Sequence, residues 1–511
     1  MSRYIVAHDL GTGGNKATIY NEDGNCIANA FESYNTYYPS LGYHEQRPLD
    51  WWNAVIKSTR KIISKSKINK KKIEAISLSG HSSGTVPVGK DGELLLDKTP
   101  IWSDTRAKKQ AESFFNNISE LEWYKKTGNG FARECYTVFK ILWYKDNLPE
   151  LFKRIYKIIG TKDFINFKLT GNIYTDFSYA SGSGVYNLID WDYSPELMKD
   201  ARLSFEIFPE IIPSTNLVGQ LNKDASQILE LDQNVKVFCG GVDNSCMALG
   251  AKNISEGRLY TNLGSSAWIA ISSSKPIIDE TMKPFIFAHV IPGMYISSFG
   301  TFSAGSSFKW IKENLCGNIL KNIKTYNRNP YEVMIDYAKK SRVGSNNLIF
   351  NPSLAGGSKA QPSPNIRGAL IGLDLSHSLS DIIRASMEGI AMDLKILLNK
   401  MSSLCNLPDE VLLVGGGSKS KLWRQIFADI YNKKIIKTNI DQNAAALGAA
   451  GIAAIGLGIW KDFKRIDKIH IVKDITTPME KNVKYYKKLL NIYKYARESQ
   501  AKIGDMLNQL N

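Results

Sequence analysis

Two stretches of this chain, residues 4–20 and residues 257–271, repeat one pattern: a strand, a turn rich in small residues, and a second strand. At 511 residues the chain is too long for one ordinary core. A pattern that recurs half a chain apart predicts an internal duplication, and with it two α/β domains with a cleft between them. Neither stretch ends in the Gly-Lys-Ser/Thr of a Walker loop, and neither carries GxGxxG ahead of a helix. A hairpin tip built from Gly11, Thr12, Gly13 and Gly14 instead offers backbone N–H groups to a phosphate. Lys16 could add charge there, and Asp9 could hold a hydrated Mg²⁺. Taken alone, the first stretch also reads as an ordinary hairpin with Asp9 as a turn residue.

Between the repeats lies a mostly apolar run, Val235 to Cys239, followed by Gly240, Gly241, Val242, Asp243 and Asn244. The run predicts a buried strand, the glycines a sharp turn, and Asp243 sits where a helix could begin. Asp243 then has two readings. It could cap the helix, accepting backbone N–H bonds. Alternatively, it is a general base at the carboxyl end of a strand, where open α/β sheets place their chemistry. An ordinary carboxyl pKa of about 3.9 would keep such a base ionised at neutral pH.

Other strand ends carry polar groups. His81, Ser82 and Ser83 follow a strand over 73–79, and Trp102, Asp104 and Arg106 open a helix. Together they could line a site for a hydroxyl-rich ligand, with Trp102 as a flat apolar face, although His81 alone reads as a structural histidine. A third small-residue loop spans residues 300–307, and a strand over 411–414 runs into Gly415-Gly-Gly-Ser418, which lets the backbone approach a flat base closely. Ala444 to Gly456 reads as a small-residue helix packing tightly near that loop. Beyond Trp460 the chain is lysine-rich and reads as helical.

The net charge of +16 raises the question of nucleic acid. Its lysines, however, are spread along the chain, with clusters such as 65–72 and 481–488 that read as solvated helix faces. Six cysteines show neither CxxC pairs nor metal spacing, which points to reduced thiols in a cytoplasmic protein. A strand beginning at Tyr4 leaves no room for a signal peptide, and no run of about 18 apolar residues suggests a membrane span.

In sequence order, Asp9-Leu-Gly-Thr12, Trp102-Ser-Asp-Thr-Arg106, Gly240-Gly-Val-Asp-Asn244, Gly368-Ala-Leu-Ile-Gly-Leu373 with Asp381-Ile-Ile-Arg-Ala-Ser-Met-Glu388, and Gly415-Gly-Gly-Ser418 resemble the motifs of the FGGY family of carbohydrate kinases. Each motif alone is unspecific, whereas the ordered set is specific. The pair at 368–373 and 381–388 matches the family's second signature throughout. The first is matched imperfectly around Thr137, Lys140, Trp143, Asp146 and Asn147, with Cys135 and Tyr144 departing from it.

The resemblance implies an actin-like fold. Residues 1–250 would carry the sugar site and the base; residues 251–511 would carry the nucleotide site and a helical C-terminal extension. It also implies transfer of the γ-phosphate of ATP, with Mg²⁺, to a hydroxyl of a sugar or polyol. Carried over by position, Asp243 is the base and Asp9 the metal residue. Thr12, Gly13, Lys16, Gly264, Ser265, Gly305, Lys309, Gly416, Gly417 and Lys421 fall on ATP positions, Ser265 where the family usually has Thr. Ser82, Ser83, Trp102, Cys135, Asp243, Asn244 and Trp268 fall on acceptor positions. Xylulokinases usually carry Met-His and glycerol kinases Arg-Glu where this chain has Ser82-Ser83. A roomier, less charged pocket is the expectation, suited to a pentulose such as xylulose or ribulose, with a glycerol- or erythritol-type polyol as the alternative. The expected partners are therefore a small molecule, no nucleic acid and no membrane, with homodimerisation left open.

Three other functions compete. Nucleotide-switch chaperones and filament proteins share the paired hairpins but lack the second signature and Trp-x-Asp-x-Arg. A nicotinamide dehydrogenase would need GxGxxG between strand and helix. A binding module without catalysis would have no need of both Asp9 and Asp243.

Overall fold

The computed structural model describes residues 3–321, 328–358 and 361–510. The chain forms two compact units that are interleaved in sequence. The first takes residues 1–256, 272–297 and 443–470; the second takes 257–271, 298–442 and 471–511. No helix among the described residues is long and apolar enough to cross a membrane.

The first unit is built on β1 (Tyr4–Gly11), β2 (Gly14–Asn21), β3 (Cys26–Ser33), β4 (Ile73–Gly80), β5 (Leu217–Gln220), β6 (Lys236–Phe238) and β7 (Gly241–Val242). Across the sheet the order is β5–β6–β4–β1–β2–β3, with β7 also paired to β4. The β1–β2–β3 meander is antiparallel, while β1, β6 and β7 all run parallel to β4. Ile5 to Ala7 and Ala75 to Leu78 are buried without alternation, as expected of strands covered on both faces.

Pro48 starts α1 (Pro48–Ser66), whose buried residues include Trp51, Trp52, Val55 and Ile62, at helical spacing for one packed face. Further helices are α2 (Thr137–Asn147), α3 (Thr161–Thr170) and α4 (Asp243–Gly250). The alanine-rich helix Ala444–Gly456 joins this unit, packing against β1, β4 and α4. Small residues make that approach possible: a Cβ on Gly250 would lie 1.8 Å from the Ala444 carbonyl oxygen, and one on Gly448 2.0 Å from that of Cys246.

The second unit repeats the scheme. Strands β8 (Leu259–Leu263), β9 (Ala267–Ser273), β10 (Glu410–Val414), β11 (Lys434–Thr438) and β12 (Val472–Thr476) lie in the order β9–β8–β10–β11–β12. Again a hairpin's first strand, β8, pairs in parallel with a later strand, β10. Four helices matter here: α5 (Gly305–Leu315), α6 (Leu379–Leu404), α7 (Lys421–Tyr431) and α8 (Glu480–Asn508). The stretch beyond Trp460 is not wholly helical, because β12 pairs antiparallel with β11. A free sheet edge, not local propensity, decides that segment.

The family's second signature proves architectural. Asp381 forms a capping box with Ser378 at the start of α6 and also takes hydrogen bonds from Ser341 (2.7 Å) and Asn346 (2.5 Å). Burial would raise this carboxyl, but the hydrogen bonds outweigh it and hold the pKa at about 2. One helical turn beyond Arg384, Glu388 binds Arg384 (2.7 Å), the Tyr486 hydroxyl (2.6 Å) and Ser345 (2.9 Å).

Candidate active site

Three parallel strands bring their carboxyl ends together in the first unit. Ser79 on β4 is in register with Asp9 of β1 on one side and Gly241 of β7 on the other. Its hydroxyl donates to Asp9 Oδ1 at 3.0 Å. Across the hairpin Lys16 is the cross-strand partner of Asp9, on the same face. Burial raises the Asp9 carboxyl, and Lys16 and Ser79 oppose the rise.

Two residues beyond Gly241, the chain enters α4. Gly240 makes the turn possible: its φ is +75°, and a Cβ would lie 2.1 Å from the Leu78 carbonyl oxygen. Asp243 is the first helical residue, not the cap. The cap position is Val242, with no side-chain hydrogen bond. Asp243 Oδ1 accepts from the Asn244 backbone N–H (2.9 Å) and side-chain amide (3.2 Å). The expectation of an ordinary carboxyl pKa fails here. Burial first, then the negative charge of Asp9, push Asp243 up to about 7, against the pull of nearby backbone N–H groups.

The hairpin tip and the expected acceptor residues meet directly. The Trp102 indole N–H donates to Thr12 Oγ1 at 2.9 Å, and the Gln46 amide to the Thr12 carbonyl at 2.7 Å. Tyr34 donates its hydroxyl to the Gly11 carbonyl. Gly13 is exposed, with open space where a Cβ would be. Ser82 is half-buried; Ser83 is buried, with φ +53°, and donates to the Gly182 carbonyl at 3.2 Å. Cys135 is buried at the end of a short turn ahead of α2.

Lys140 on α2 is fully buried, bonded to the carbonyls of Ser83 (3.1 Å) and Ile101 (2.6 Å). Burial lowers its pKa to about 8. The signature lysine thus ties the Ser83 loop to the residue before Trp102. At Tyr144, where the first signature is broken, a buried hydroxyl donates to the Thr85 carbonyl at 2.9 Å.

Asp104 and Arg106 do not line an open site. Asp104 is buried and accepts from the His44 N–H (2.7 Å) and from Arg106, which also reaches Glu45 at 2.7 Å. The guanidinium is almost fully covered and lies over the Tyr43 ring. They brace the segment that presents Trp102. His81 is structural as expected: its buried ring contacts Thr161 at 3.2 Å, and burial lowers its pKa to about 4.

In the second unit the expected nucleotide residues gather around the end of β8. The Gly264 carbonyl accepts from Gly305 N–H (2.9 Å), and the Ser265 carbonyl from Ala304 (3.1 Å) and Ser306 (2.9 Å). The turn therefore sits on the N-terminus of α5, where its two carbonyls take up the backbone N–H groups of Ala304, Gly305 and Ser306. Lys309 lies one turn along α5, exposed and 3.8 Å from Glu313. The loop Gly415–Gly417 packs on Leu263, and Lys421 starts α7. Trp268, on β9, donates to the Tyr260 hydroxyl at 3.0 Å.

Gly415 has φ +88°, and a Cβ would lie 2.5 Å from the Leu263 carbonyl oxygen. Gly415→Ala is therefore expected to destabilise the protein by about 1–3 kcal/mol and to raise KM for ATP more than for sugar. Melting and steady-state kinetics check this; unchanged values for both would remove the loop from the nucleotide site.

Comparison with known proteins decides the class of this constellation. Residues 4–250 match the N-terminal domain, and residues 259–457 the C-terminal domain, of the FGGY family of carbohydrate kinases. The chain belongs to that family. The xylulose kinase of Staphylococcus xylosus is 31% identical to this FGGY kinase over 96% of the chain and 99% of its own length. The crystal structures of gluconate kinase and of ligand-bound xylulose kinase from Lactobacillus acidophilus both superpose with TM-score 0.86. They are 27% and 28% identical, covering 98% of this chain and 99% and 98% of theirs. The two sheet-bearing units of the kinase are accordingly actin-like α/β domains.

Two residues at the site of the FGGY kinase escape sequence reasoning. Ser79 reads only as the last residue of a strand, and its register with Asp9 exists only once β1 and β4 pair. Lys140 carries a signature but no hint of its carbonyl partners.

Proposed function

We propose that this kinase transfers the γ-phosphate of ATP to a hydroxyl of a neutral pentulose, xylulose before ribulose, with Asp243 as the base. The observation that carries the catalytic part is the raised Asp243 carboxyl beside Asp9 at the ends of three parallel strands. A carboxylate with a pKa near operating pH is a better proton acceptor than an ordinary aspartate. Phosphoryl transfer otherwise needs positioning and charge neutralisation. Thr12, Gly13 and Lys16 would face the transferred phosphate. Gly264, Ser265, Gly305, Lys309, Gly416, Gly417 and Lys421 would hold the rest of the nucleotide.

The residues also fit Mg²⁺. Asp9 and Asp243 repel each other across the site, a repulsion that a divalent cation relieves. Among the described residues no group of three or more His, Cys, Asp or Glu could hold a metal. One or two carboxylates with water and phosphate oxygens is the usual Mg²⁺ arrangement. When bound, the ion supplies charge neutralisation at the phosphates. Asp9 would orient it through water, and Ser79 would hold Asp9.

A neutral acceptor follows from the side chains assigned to its pocket. Ser82, Ser83, Trp102, Cys135 and Asn244 carry no charge, and the buried cation beside them, Lys140, is engaged by two backbone carbonyls. A gluconate carboxylate would find no cation among these residues. Likeness to the S. xylosus enzyme supports the same choice.

Coupled ADP release with xylulose, ribulose, glycerol, erythritol and gluconate tests this. Xylulose is expected to give the highest kcat/KM, and a preference for gluconate would overturn the reading. Because Ser83 is buried and Ser82 half-exposed, Ser82→Met is the cleaner probe of the pocket. It should reorder the sugars while KM for ATP stays constant; an unchanged order would place Ser82 outside the pocket.

A further inference from the structure

Behind the turn that delivers Asp243 lies a buried charged cluster that the reading above leaves without a task. Lys162 on α3 sits 2.6 Å from Asp163 and 3.0 Å from Asp176, and the three side chains are at most 1% exposed. Burying three charges confers little net stability compared with an apolar cluster of the same volume. What this cluster does hold is the backbone between β6 and α4.

The contacts run residue by residue along that backbone. The Cys239 carbonyl accepts from Lys162 Nζ at 3.3 Å and from the Asn166 amide at 2.9 Å. Gly240 N–H donates to the Ser214 carbonyl at 3.1 Å. Val242 N–H donates to Ser178 Oγ at 2.9 Å. Asp176 joins these points. Its Oδ2 accepts from the hydroxyls of Ser178 (2.5 Å) and Ser214 (2.8 Å) and from Ser178 N–H (3.0 Å). Because the Ser178 proton is committed to Asp176, its lone pair is left for Val242. The opposite side of the turn is fixed by the β7–β4 ladder, where Gly241 pairs with Ser79 and Val242 with Gly80. Asp243 leaves directly from this clamp and makes no cap of its own.

We propose that Asp176, anchored by Lys162, is a positioning residue that fixes Asp243 toward the acceptor through the Ser178–Val242 hydrogen bond. The proposal rests on Asp243 being the base. A residue that acts through another loses its effect once that other residue is disabled. The test is therefore a four-protein cycle: wild type, Ser178→Ala, Asp243→Asn and the double variant, with kcat, KM for ATP and melting temperature measured for each.

Ser178→Ala should lower kcat about ten- to a hundred-fold, the scale of a small misplacement of a reacting group, with KM for ATP unchanged. In the Asp243→Asn background the same change should cost nothing further in kcat. An equal loss in both backgrounds marks a general structural role and overturns the proposal, as does an unaltered kcat in Ser178→Ala. Full activity in Asp243→Asn alone is a different failure: it removes the base and, with it, the proposal. Should Ser178→Ala not fold, Ser214→Ala, which removes the other hydroxyl on Asp176, runs the same cycle with the same criteria.

Discussion

Asp243→Asn is expected to lower kcat by about two to four powers of ten, the range of a lost general base, while KM for ATP and sugar changes little. The amide keeps the shape and can still accept from Asn244, but it cannot take the hydroxyl proton. Because Asp243 lies at the first helical position and not at the cap, the exchange does not trade one cap for another. The wild-type pH profile should carry the same signature. With a carboxyl near 7 in the free enzyme, kcat/KM should fall as pH drops below about 7, where the base becomes protonated.

Stability should move the other way. A carboxyl raised in the fold disfavours folding once ionised. The penalty is absent below the unfolded value of 3.8, grows as pH rises toward 7 and is complete above it. Asp243→Asn should therefore melt higher than wild type at pH 8, with the difference vanishing toward pH 4. An active variant, or one less stable at pH 8, would contradict the assignment.

Asp9→Asn is expected to lower kcat about ten- to a hundred-fold, most severely at limiting Mg²⁺, and to leave KM for sugar nearly unchanged. It should also act on its neighbour. The Asp9 charge is the second cause of the raised Asp243 carboxyl, after burial, so removing it should shift the acid limb of the kcat/KM profile to lower pH. Near-normal turnover at limiting Mg²⁺ would exclude Asp9 from the metal site. A fixed acid limb would show that the two carboxyls do not sense each other.

Periodicity and turn chemistry alone expose much of this arrangement. The paired hairpins, the strand before Asp243 and the helix over Ala444–Gly456 follow from apolar runs broken by glycine. What escapes is whatever depends on partners far away in the chain. Asp243 has an ordinary aspartate's sequence context, and only burial with Asp9 shifts its pKa. Trp-x-Asp-x-Arg reads as a ligand motif, yet Asp104 and Arg106 form a buried brace. Likewise the most diagnostic signature, residues 368–388, secures a helix start and an ion pair. β12 could not be read because β-propensity is weak beside the presence of an open edge.

The order in which the first unit is completed has a cost during synthesis. Its sheet and α4 are encoded by residue 256, but the helix covering β1, β4 and α4 arrives only at Ala444. At about 5–20 residues per second, a ribosome needs roughly 10–40 s to cross that interval. Throughout it, the apolar surface that later meets Ala444–Gly456 is left bare on the nascent chain. Trp460, whose indole donates to the Glu22 carbonyl at 2.8 Å, and His470, bonded to the Gly250 carbonyl at 2.8 Å, then fasten the arriving segment to the turn after β2 and to the end of α4. Holdase chaperones that shield such surface should therefore engage this chain early and be released only when residues 444–470 emerge.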